Sequence, residues 1–219
     1  MKRFVDWYIK HFREEIVRAD DELRYLFNST SSVKDKSILI LIGKHQWYLK
    51  PFHPDIYDTI IERMAIESPW NKMKNYHSFE DVFNDQLKLK EYEFIQQLTV
   101  YDIAVRLAII NNDEKLQPTT KIYLHATPMT AYKWLFNNGF VNVKVKGFYS
   151  TVEIKDLKGV FGSLTAREIE DFLCHLYKGI KRVRENRHSM NQLEIELDDI
   201  IKDVVKKNHI NSDCNAEIH

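Results

Sequence analysis

Glycine and proline are scarce in this chain, which has six glycines and five prolines in 219 residues. A turn-rich β-sandwich needs many such residues, so their scarcity disfavours that class and favours long helices joined by few loops. The length allows one large domain or two small ones, and either can bury a substantial hydrophobic core.

The chain also lacks a charge bias of either sign, because its 32 Lys and Arg residues equal its 32 Asp and Glu residues. No overall field therefore attracts nucleic acid or an anionic membrane surface. Binding of that kind would require a local basic patch.

Cysteine and long apolar runs are equally sparse. Cys174 lies in an apolar helical pattern and Cys214 in a polar segment, which argues against a structural disulfide. The histidines are scattered, and no Cys or His spacing predicts a metal site or identifies a cofactor. No run approaches the ~18 apolar residues of a membrane span, and the first residues lack the apolar core of a secretory signal. We therefore expect a cytoplasmic protein.

The periodicity of apolar residues predicts a mainly α-helical fold with a small β element. Strands are predicted near 121–125 and 141–154, and residues 1–206 are predicted to form one domain before a disordered polar tail, 207–219. The run 37–43 fits either a strand or a short helix. Helices are predicted at 3–27, 54–65, 78–94, 95–110, 127–136, 165–183 and 191–206.

Polar residues at fixed offsets mark two helix starts. Ser78 with Asp81 forms an approximate capping box, and Thr165 with Glu168 forms a complete Thr-x-x-Glu box. The segment KGVFGS, residues 158–163, is predicted to be a turn.

The stretch KIYLHATPMTAYKWLFNNGF, residues 121–140, predicts a strand running directly into a helix. Thr127 is predicted to cap the helix and Pro128 to occupy its first position, and Asn137, Asn138 and Gly139 are predicted to provide a left-handed exit. Tyr123 and His125 share one strand face, and His125 lies beside the unpaired N–H groups of the first helical turn.

Two interpretations of this strand-to-helix corner remain open. In the functional one, His125, Tyr123 and the Thr127 hydroxyl hold a phosphate or carboxylate, and His125 moves a proton near neutral pH. In the structural one, Thr127 only caps its own helix and His125 bonds a nearby carbonyl. The structural interpretation is the commoner outcome for such corners.

The string YLHAT, residues 123–127, resembles the strand motif of ADP-ribosyltransferase-type folds. That resemblance implies a histidine and a threonine that grip a dinucleotide, here His125 and Thr127. It covers five residues of 219, and the remainder departs from the family, because those folds continue with strands where this chain continues with helices.

The segment LTVYDIAVRLAII, residues 98–110, predicts a helix that is apolar nearly all round and is therefore expected to be central to the fold. Within it, Asp102 and Arg106 lie four residues apart, so they can pair on one face. The favoured interpretation is a structural ion pair. The alternative places Asp102, Arg106, Tyr101 and His125 in one pocket, where Arg106 binds an oxyanion and Asp102 orients Arg106 or His125.

Two further segments bear on nucleic-acid binding. The segment 178–188 carries five basic residues that could contact phosphates, although a solvated helix end explains them equally. Aromatic and histidine side chains concentrate at 45–70, where plugging a core edge is the commoner role. The basic residues are Lys178, Lys181, Arg182, Arg184 and Arg187, and the 45–70 residues are His45, Trp47, His53 and Trp70.

Three hypotheses follow from the sequence. The first is a helical accessory protein that binds another protein and has no catalysis of its own. The second is a small enzyme or binding module for a phosphate-bearing molecule, such as a nucleotide, with His125, Asp102 and Tyr101 as catalytic residues and Thr127, Arg106 and Tyr123 as ligand-binding residues. The third is a nucleic-acid-associated factor that uses the basic segment 178–188 and the aromatic residues of 45–70.

Overall fold

A computed structural model describes residues 2–42, 54–92, 95–147 and 149–186. Within these ranges the chain is mainly helical with one small antiparallel sheet, as predicted. The α-helices are α1 (Lys2–Ser29), α2 (Val33–Ile42), α3 (Pro54–Glu67), α4 (Phe79–Gln86), α5 (Gln97–Asn111), α6 (Ala126–Asn137), α7 (Lys158–Phe161) and α8 (Ala166–Asn186), and the strands are β1 (Lys121–His125) and β2 (Tyr149–Glu153). Short 3₁₀ segments cover Pro69–Asn75, Leu87–Glu91, Glu114–Leu116 and Ile154–Asp156.

The buried apolar side chains form two clusters. The first, which we call the α5 cluster, gathers α2, α3, α4 and α5 with the C-terminal end of α1. The second, the α8 cluster, gathers the N-terminal half of α1 with β1, α6, α7 and α8. Helix α1, which has 28 residues, contributes to both clusters and so runs along the side of each.

Helix α5 is central to the first cluster, as its apolar sequence predicts. Eight of its residues are buried, and it contacts α1, α2, α4 and β1. A helix packed on so many sides has little surface left for polar residues. The two charged residues in its middle, Asp102 and Arg106, therefore need specific surroundings.

Strand β1 lies between the two clusters and supplies both of them. Ile122 and Leu124 pack in the α8 cluster, whereas Tyr123 packs in the α5 cluster. This division follows from the alternation of side chains along a strand. The β1–β2 register pairs Ile122 with Val152 and His125 with Tyr149.

Two helix starts have the predicted capping. The Asp81 N–H donates to the Ser78 hydroxyl at 3.2 Å. At α8, the Thr165 N–H donates to Glu168 at 2.8 Å, and the Glu168 N–H donates to the Thr165 hydroxyl at 3.2 Å, which completes the box. Glu168 also accepts from the Arg13 guanidinium, so the start of α8 is attached to α1.

Three local predictions are corrected or decided by the structure. The ambiguous run 37–43 is helical through Ile42. The strand predicted at 141–154 covers only Tyr149–Glu153. Residues 141–147 alternate in exposure as a strand would, but they do not pair with another strand, since β1 pairs only with β2 in the described chain. The segment 158–163 was wrongly predicted as a turn alone, since α7 occupies Lys158–Phe161 before the turn at Gly162.

Other sequence predictions lie outside the described residues, including the helix at 191–206 and the tail at 207–219. The prediction of one domain over residues 1–206 therefore stays a prediction. Among the helices that the structure does describe, none combines the length and the apolar character needed to cross a membrane.

Candidate functional site

His125 ends β1 and is the N-cap residue of α6, with extended backbone angles of φ −135° and ψ 150°. The prediction that Thr127 caps this helix is wrong, because the helix begins at Ala126 and Thr127 lies inside its first turn. Pro128 is the third helical residue rather than the first. Proline is tolerated there because the N–H groups of the first turn have no partner within the helix.

The His125 imidazole is buried, with only 2% of the residue exposed. Its ring centroid lies 5.1 Å from that of Tyr101, and its Nε2 atom lies 3.3 Å from Oε1 of Glu170. No hydrogen bond with proper geometry to Nε2 forms within the described chain. His125 therefore faces a carboxylate and an aromatic ring, with its polar nitrogen close to Glu170 but poorly aligned with it.

Glu170 projects from α8 and is also largely buried, its side chain being 13% exposed. Burial raises the pKa of this carboxyl group, and His125 partly opposes the rise. The Cys174 thiol points to the same oxygen, at 3.8 Å. Burial raises the pKa of Cys174 as well, so the thiol is not a reactive thiolate near neutral pH.

A cavity of about 430 Å³ opens on the strand side of the corner, and we call it the strand-side cavity. His125 and Tyr123 both contribute to its wall, in keeping with their shared strand face. The lining residues are Phe83, Gln97, Tyr101, Tyr123, Leu124, His125, Tyr149, Ser150 and Thr151. Thr127 is not among them.

A second cavity of about 370 Å³ lies between α1, α2, α5 and α8, and we call it the interhelical cleft. Its walls combine aliphatic side chains from α1, α2 and α5 with six charged residues. The aliphatic residues are Ile16, Ala19, Leu23, Leu26, Leu39, Val105 and Ile109; the charged ones are Asp20, Asp102, Arg106, Arg167, Glu170 and Asp171; Tyr101 completes the lining.

Arg106 is held mainly by backbone carbonyls. One of its terminal nitrogens donates to the carbonyl oxygens of Ile40 and Leu41, at 3.1 and 3.0 Å. These carbonyls belong to the last described turn of α2, the end of the helix that carries a negative partial charge. Arg106 therefore closes the end of α2, and burial lowers its pKa.

The Asp102–Arg106 pair is looser than this capping contact. Their closest charged atoms are 3.7 Å apart, and the Asp102 side chain is 41% exposed. A pair exposed to this degree adds little to stability. The stronger contacts of Arg106 are with α2, so its principal observed role is to attach α5 to α2.

Two other contacts hold charged residues of the cleft in place. Arg167 forms a two-pronged ion pair with Asp20 of α1, with one nitrogen 2.8 Å from Oδ1. The Tyr8 hydroxyl donates to Asp171 at 2.8 Å. Both contacts join α1 to α8, and both use polar groups that would otherwise be free to bind a ligand.

Tyr101 is the one predicted site residue that lines both cavities. It is 3% exposed, and its hydroxyl has no hydrogen-bond partner among the described residues. Burial raises the pKa of this hydroxyl far above its usual value, and the charges acting on it include Glu170, Arg167 and Asp102. Tyr101, Glu170, Arg167 and Asp102 all line the interhelical cleft.

The predicted site residues do not all meet in one pocket. His125 and Tyr123 line the strand-side cavity, whereas Asp102 and Arg106 line the interhelical cleft. Tyr101 lines both cavities and so connects these two sets of residues.

The residues proposed for nucleic-acid binding are only partly described. Lys178 and Lys181 are exposed near the C-terminal end of α8, while Arg187 and the side chains of Arg182 and Arg184 lie outside the described residues. Trp70 packs edge-on against Phe27 with ring centroids 5.6 Å apart, which is a core-edge position. His45, Trp47 and His53 also lie outside the described residues.

Sequence reasoning missed four charged residues of the cleft, namely Asp20, Arg167, Glu170 and Asp171. Arg167, Glu170 and Asp171 have i, i+3, i+4 spacing, which places them on one face of α8. That spacing was a usable signal for a shared polar face. It did not reveal that the face is turned toward α1 and α5 rather than toward solvent.

Among the described residues, no group of three or more His, Cys, Asp and Glu side chains is arranged to hold a metal ion. No model of a known protein family matches the chain, and comparisons with curated proteins and with solved structures likewise find no match.

Proposed function

We propose that this chain is a cytoplasmic helical protein that binds a small organic molecule in the interhelical cleft. The observation that carries the proposal is the buried Tyr101 hydroxyl, which has no partner among the described residues and belongs to a residue that lines a cavity of about 370 Å³. Buried polar groups in folded proteins nearly always have a partner. A ligand in the cleft would supply one.

The composition of the cleft supports this proposal. Binding sites for small molecules are concave and mainly apolar, with a few polar groups that orient the ligand. Here the aliphatic side chains of Leu23, Leu39 and Val105 offer an apolar surface, and Tyr101 and Glu170 offer polar atoms. Glu170 of this wall also contacts the buried His125.

The charge balance of the interhelical cleft argues against a phosphate-bearing ligand in this cleft; the second hypothesis from the sequence placed such a ligand at the corner 121–128. A phosphate would need free guanidinium or ammonium groups. Arg106 is engaged with the α2 carbonyls, Arg167 is engaged with Asp20, and four carboxyl groups line the same cleft. An uncharged or positively charged molecule fits these surroundings better than a phosphate does.

The protein-interaction hypothesis remains the second candidate, and a different observation favours it. Tyr25 is 71% exposed, and Leu26 and Val33 are also exposed beside the connection from α1 to α2. Exposed apolar side chains in one region are typical of interaction surfaces. Leu26 also lines the interhelical cleft, so a protein partner there would border the ligand site.

A fragment screen by thermal shift tests the ligand-binding proposal, with a variant that fills the cleft. Ala19 lines the cleft and is exposed on α1, so Ala19→Phe should occupy ligand space. Val17 is 55% exposed and does not line the cleft, so Val17→Phe is the matched control.

We expect fragments that raise the unfolding temperature of wild type and of the Val17 variant but not of the Ala19 variant. Equal shifts in both variants, or no fragment that shifts wild type, would overturn the proposal. Both variants should first show wild-type helicity, so that the comparison concerns the cleft and not folding.

A further inference from the structure

The interhelical cleft contains more carboxyl groups than basic groups. Its lining includes four carboxyl groups and two guanidinium groups. The carboxyl groups belong to three helices: Asp20 to α1, Asp102 to α5, and Glu170 and Asp171 to α8. With all of these groups ionised, the cleft has a net negative charge.

The two guanidinium groups are committed to other partners. Arg167 is neutralised by its two-pronged contact with Asp20. Arg106 is directed at the α2 carbonyls and stands 3.7 Å from Asp102, a distance too long for a direct hydrogen bond. The negative charge of Glu170 is therefore not balanced by a cleft arginine at hydrogen-bond distance within the described chain.

Glu170 is a largely buried carboxyl group without an arginine at hydrogen-bond distance among the described residues of the cleft. Its side chain is 13% exposed, and a buried carboxylate without a well-placed counter-charge is costly. His125 lies 3.3 Å away but does not align its Nε2 atom for a hydrogen bond. A positive group entering from the cleft side would stabilise the ionised carboxylate.

Tyr101 provides a second, independent indication of a ligand beside Glu170. Its hydroxyl is buried and unpartnered in the described chain, and Tyr101 and Glu170 line the same cleft. A phenolic oxygen accepts a hydrogen bond from an ammonium or amidinium N–H. One such group could therefore contact the Glu170 carboxylate and the Tyr101 oxygen together.

We infer that the ligand of the interhelical cleft carries a protonated nitrogen that binds between Glu170 and Tyr101, with an apolar body against the aliphatic wall. This inference rests on the proposed ligand-binding function and names the chemical class of the ligand. Asp102, at the exposed side of the cleft, adds attraction for a cation as it enters.

Three probes of matched size test the inference: benzylamine as cation, benzyl alcohol as neutral compound and benzoate as anion. Each is titrated into ¹⁵N-labelled protein, and the amide shifts of the cleft residues give an affinity and a location. Glu170→Gln removes the charge while keeping the shape. Glu62→Gln, at an exposed position on α3, is the matched control. Tyr101→Phe removes only the unpartnered hydroxyl.

We expect benzylamine to bind wild type most tightly, and Glu170→Gln to weaken it about tenfold while leaving benzyl alcohol unchanged. Tyr101→Phe should weaken benzylamine by a smaller factor, and Glu62→Gln should behave as wild type does. Circular dichroism of each variant confirms that it is folded before titration.

The two proposals fail in distinguishable ways. Benzyl alcohol or benzoate binding in the cleft as tightly as benzylamine would overturn the cation inference and leave ligand binding standing. Benzylamine binding that is unaffected by Glu170→Gln would also overturn it. If no probe shifts the cleft amides of wild type up to its solubility limit, the cation inference is overturned, whereas the proposed function is overturned only if the fragment screen also finds no ligand.

Discussion

Oε1 of Glu170 lies 3.3 Å from Nε2 of His125, and neither residue is more than slightly exposed. The contact joins α8 to the junction between β1 and α6, two parts of the chain 45 residues apart. Burial raises the pKa of Glu170, because the charged carboxylate is poorly solvated in the interior. A carboxyl group in such surroundings costs stability when it ionises, and buried ionisable groups of this kind are frequent in functional sites.

The first prediction concerns the stability cost of Glu170. Because its pKa is raised in the folded state, stability is lost as pH rises through the ordinary carboxyl value toward the raised one. Glu170→Gln should therefore raise the unfolding temperature by roughly 2–4 °C at pH 7, and the gain should disappear near pH 4. Thermal unfolding followed by circular dichroism at both pH values checks this.

Glu62→Gln serves as the control for that comparison, and it should change the unfolding temperature little at either pH. A Glu170→Gln variant that is less stable than wild type at pH 7 would show that the contact with His125 outweighs the cost of burial. That result would contradict the prediction that the buried, ionised carboxyl group of Glu170 lowers the stability of the folded protein.

The second prediction concerns Arg106 as the residue that closes α2. Arg106→Met keeps the apolar length of the side chain but leaves the carbonyls of Ile40 and Leu41 without their donor. We expect a loss of about 2–3 kcal/mol in the free energy of unfolding, and a smaller loss for Arg106→Lys, which keeps one donor group. Urea unfolding gives both values.

Arg18→Met is the matched control for Arg106, because Arg18 is exposed on α1. Its effect should stay within about 0.5 kcal/mol. If Arg106→Met were tolerated equally well, the carbonyl contacts would not be what joins α5 to α2.

The helical fold was predictable because its signals are local. The apolar periodicity of α1 and α8 predicts their length, and the Thr165–Glu168 box marks the start of α8 within one residue. Gly139 marks the end of α6 by its positive φ of 73°. Each of these features depends on residues within about one helical turn of one another, which a sequence displays directly.

The candidate site was less predictable because it depends on contacts between distant segments. Asp102 and Arg106 were recognised as unusual, but the partner of Arg106 is the end of α2, more than 60 residues earlier. Glu170 was not singled out in the sequence, and in the structure it faces His125. The pattern of α8 specifies which residues share a face, and only the packing of α1 and α5 against it determines what that face meets.

The third prediction concerns acid sensitivity at Glu67. Burial alone would raise the pKa of this carboxyl group, but hydrogen bonds from Lys88 and Arg63 lower it to about 2. With a lowered folded-state pKa, its contribution is complete above the ordinary value of 4.5 and is lost as pH falls toward 2. Wild type should therefore exceed Glu67→Gln by about 1–2 kcal/mol at pH 6, discounted for partial exposure, and by almost nothing near pH 2.

Urea unfolding at pH 6, 4 and 2.5 measures this difference, with Glu62→Gln as the exposed control. The control should differ from wild type by a nearly constant amount. A Glu67→Gln difference that does not shrink on acidification would contradict the role assigned to Lys88 and Arg63.

The last prediction compares two glycines that differ in backbone conformation. Gly139 follows α6 with φ +73°, while Gly159 lies inside α7 without a positive φ, and neither has an atom within 4 Å of where a Cβ would stand. Steric space is thus equal, and only the backbone differs. Gly139→Ala should lose about 1 kcal/mol, since alanine is strained in the left-handed region, whereas Gly159→Ala should gain about 0.5 kcal/mol. The left-handed conformation of Gly139 allows the Phe140 N–H to donate to the Leu135 carbonyl at the end of α6. Urea unfolding of both variants measures the contrast in stability. Equal effects of the two substitutions would mean that the left-handed conformation is not needed to end α6.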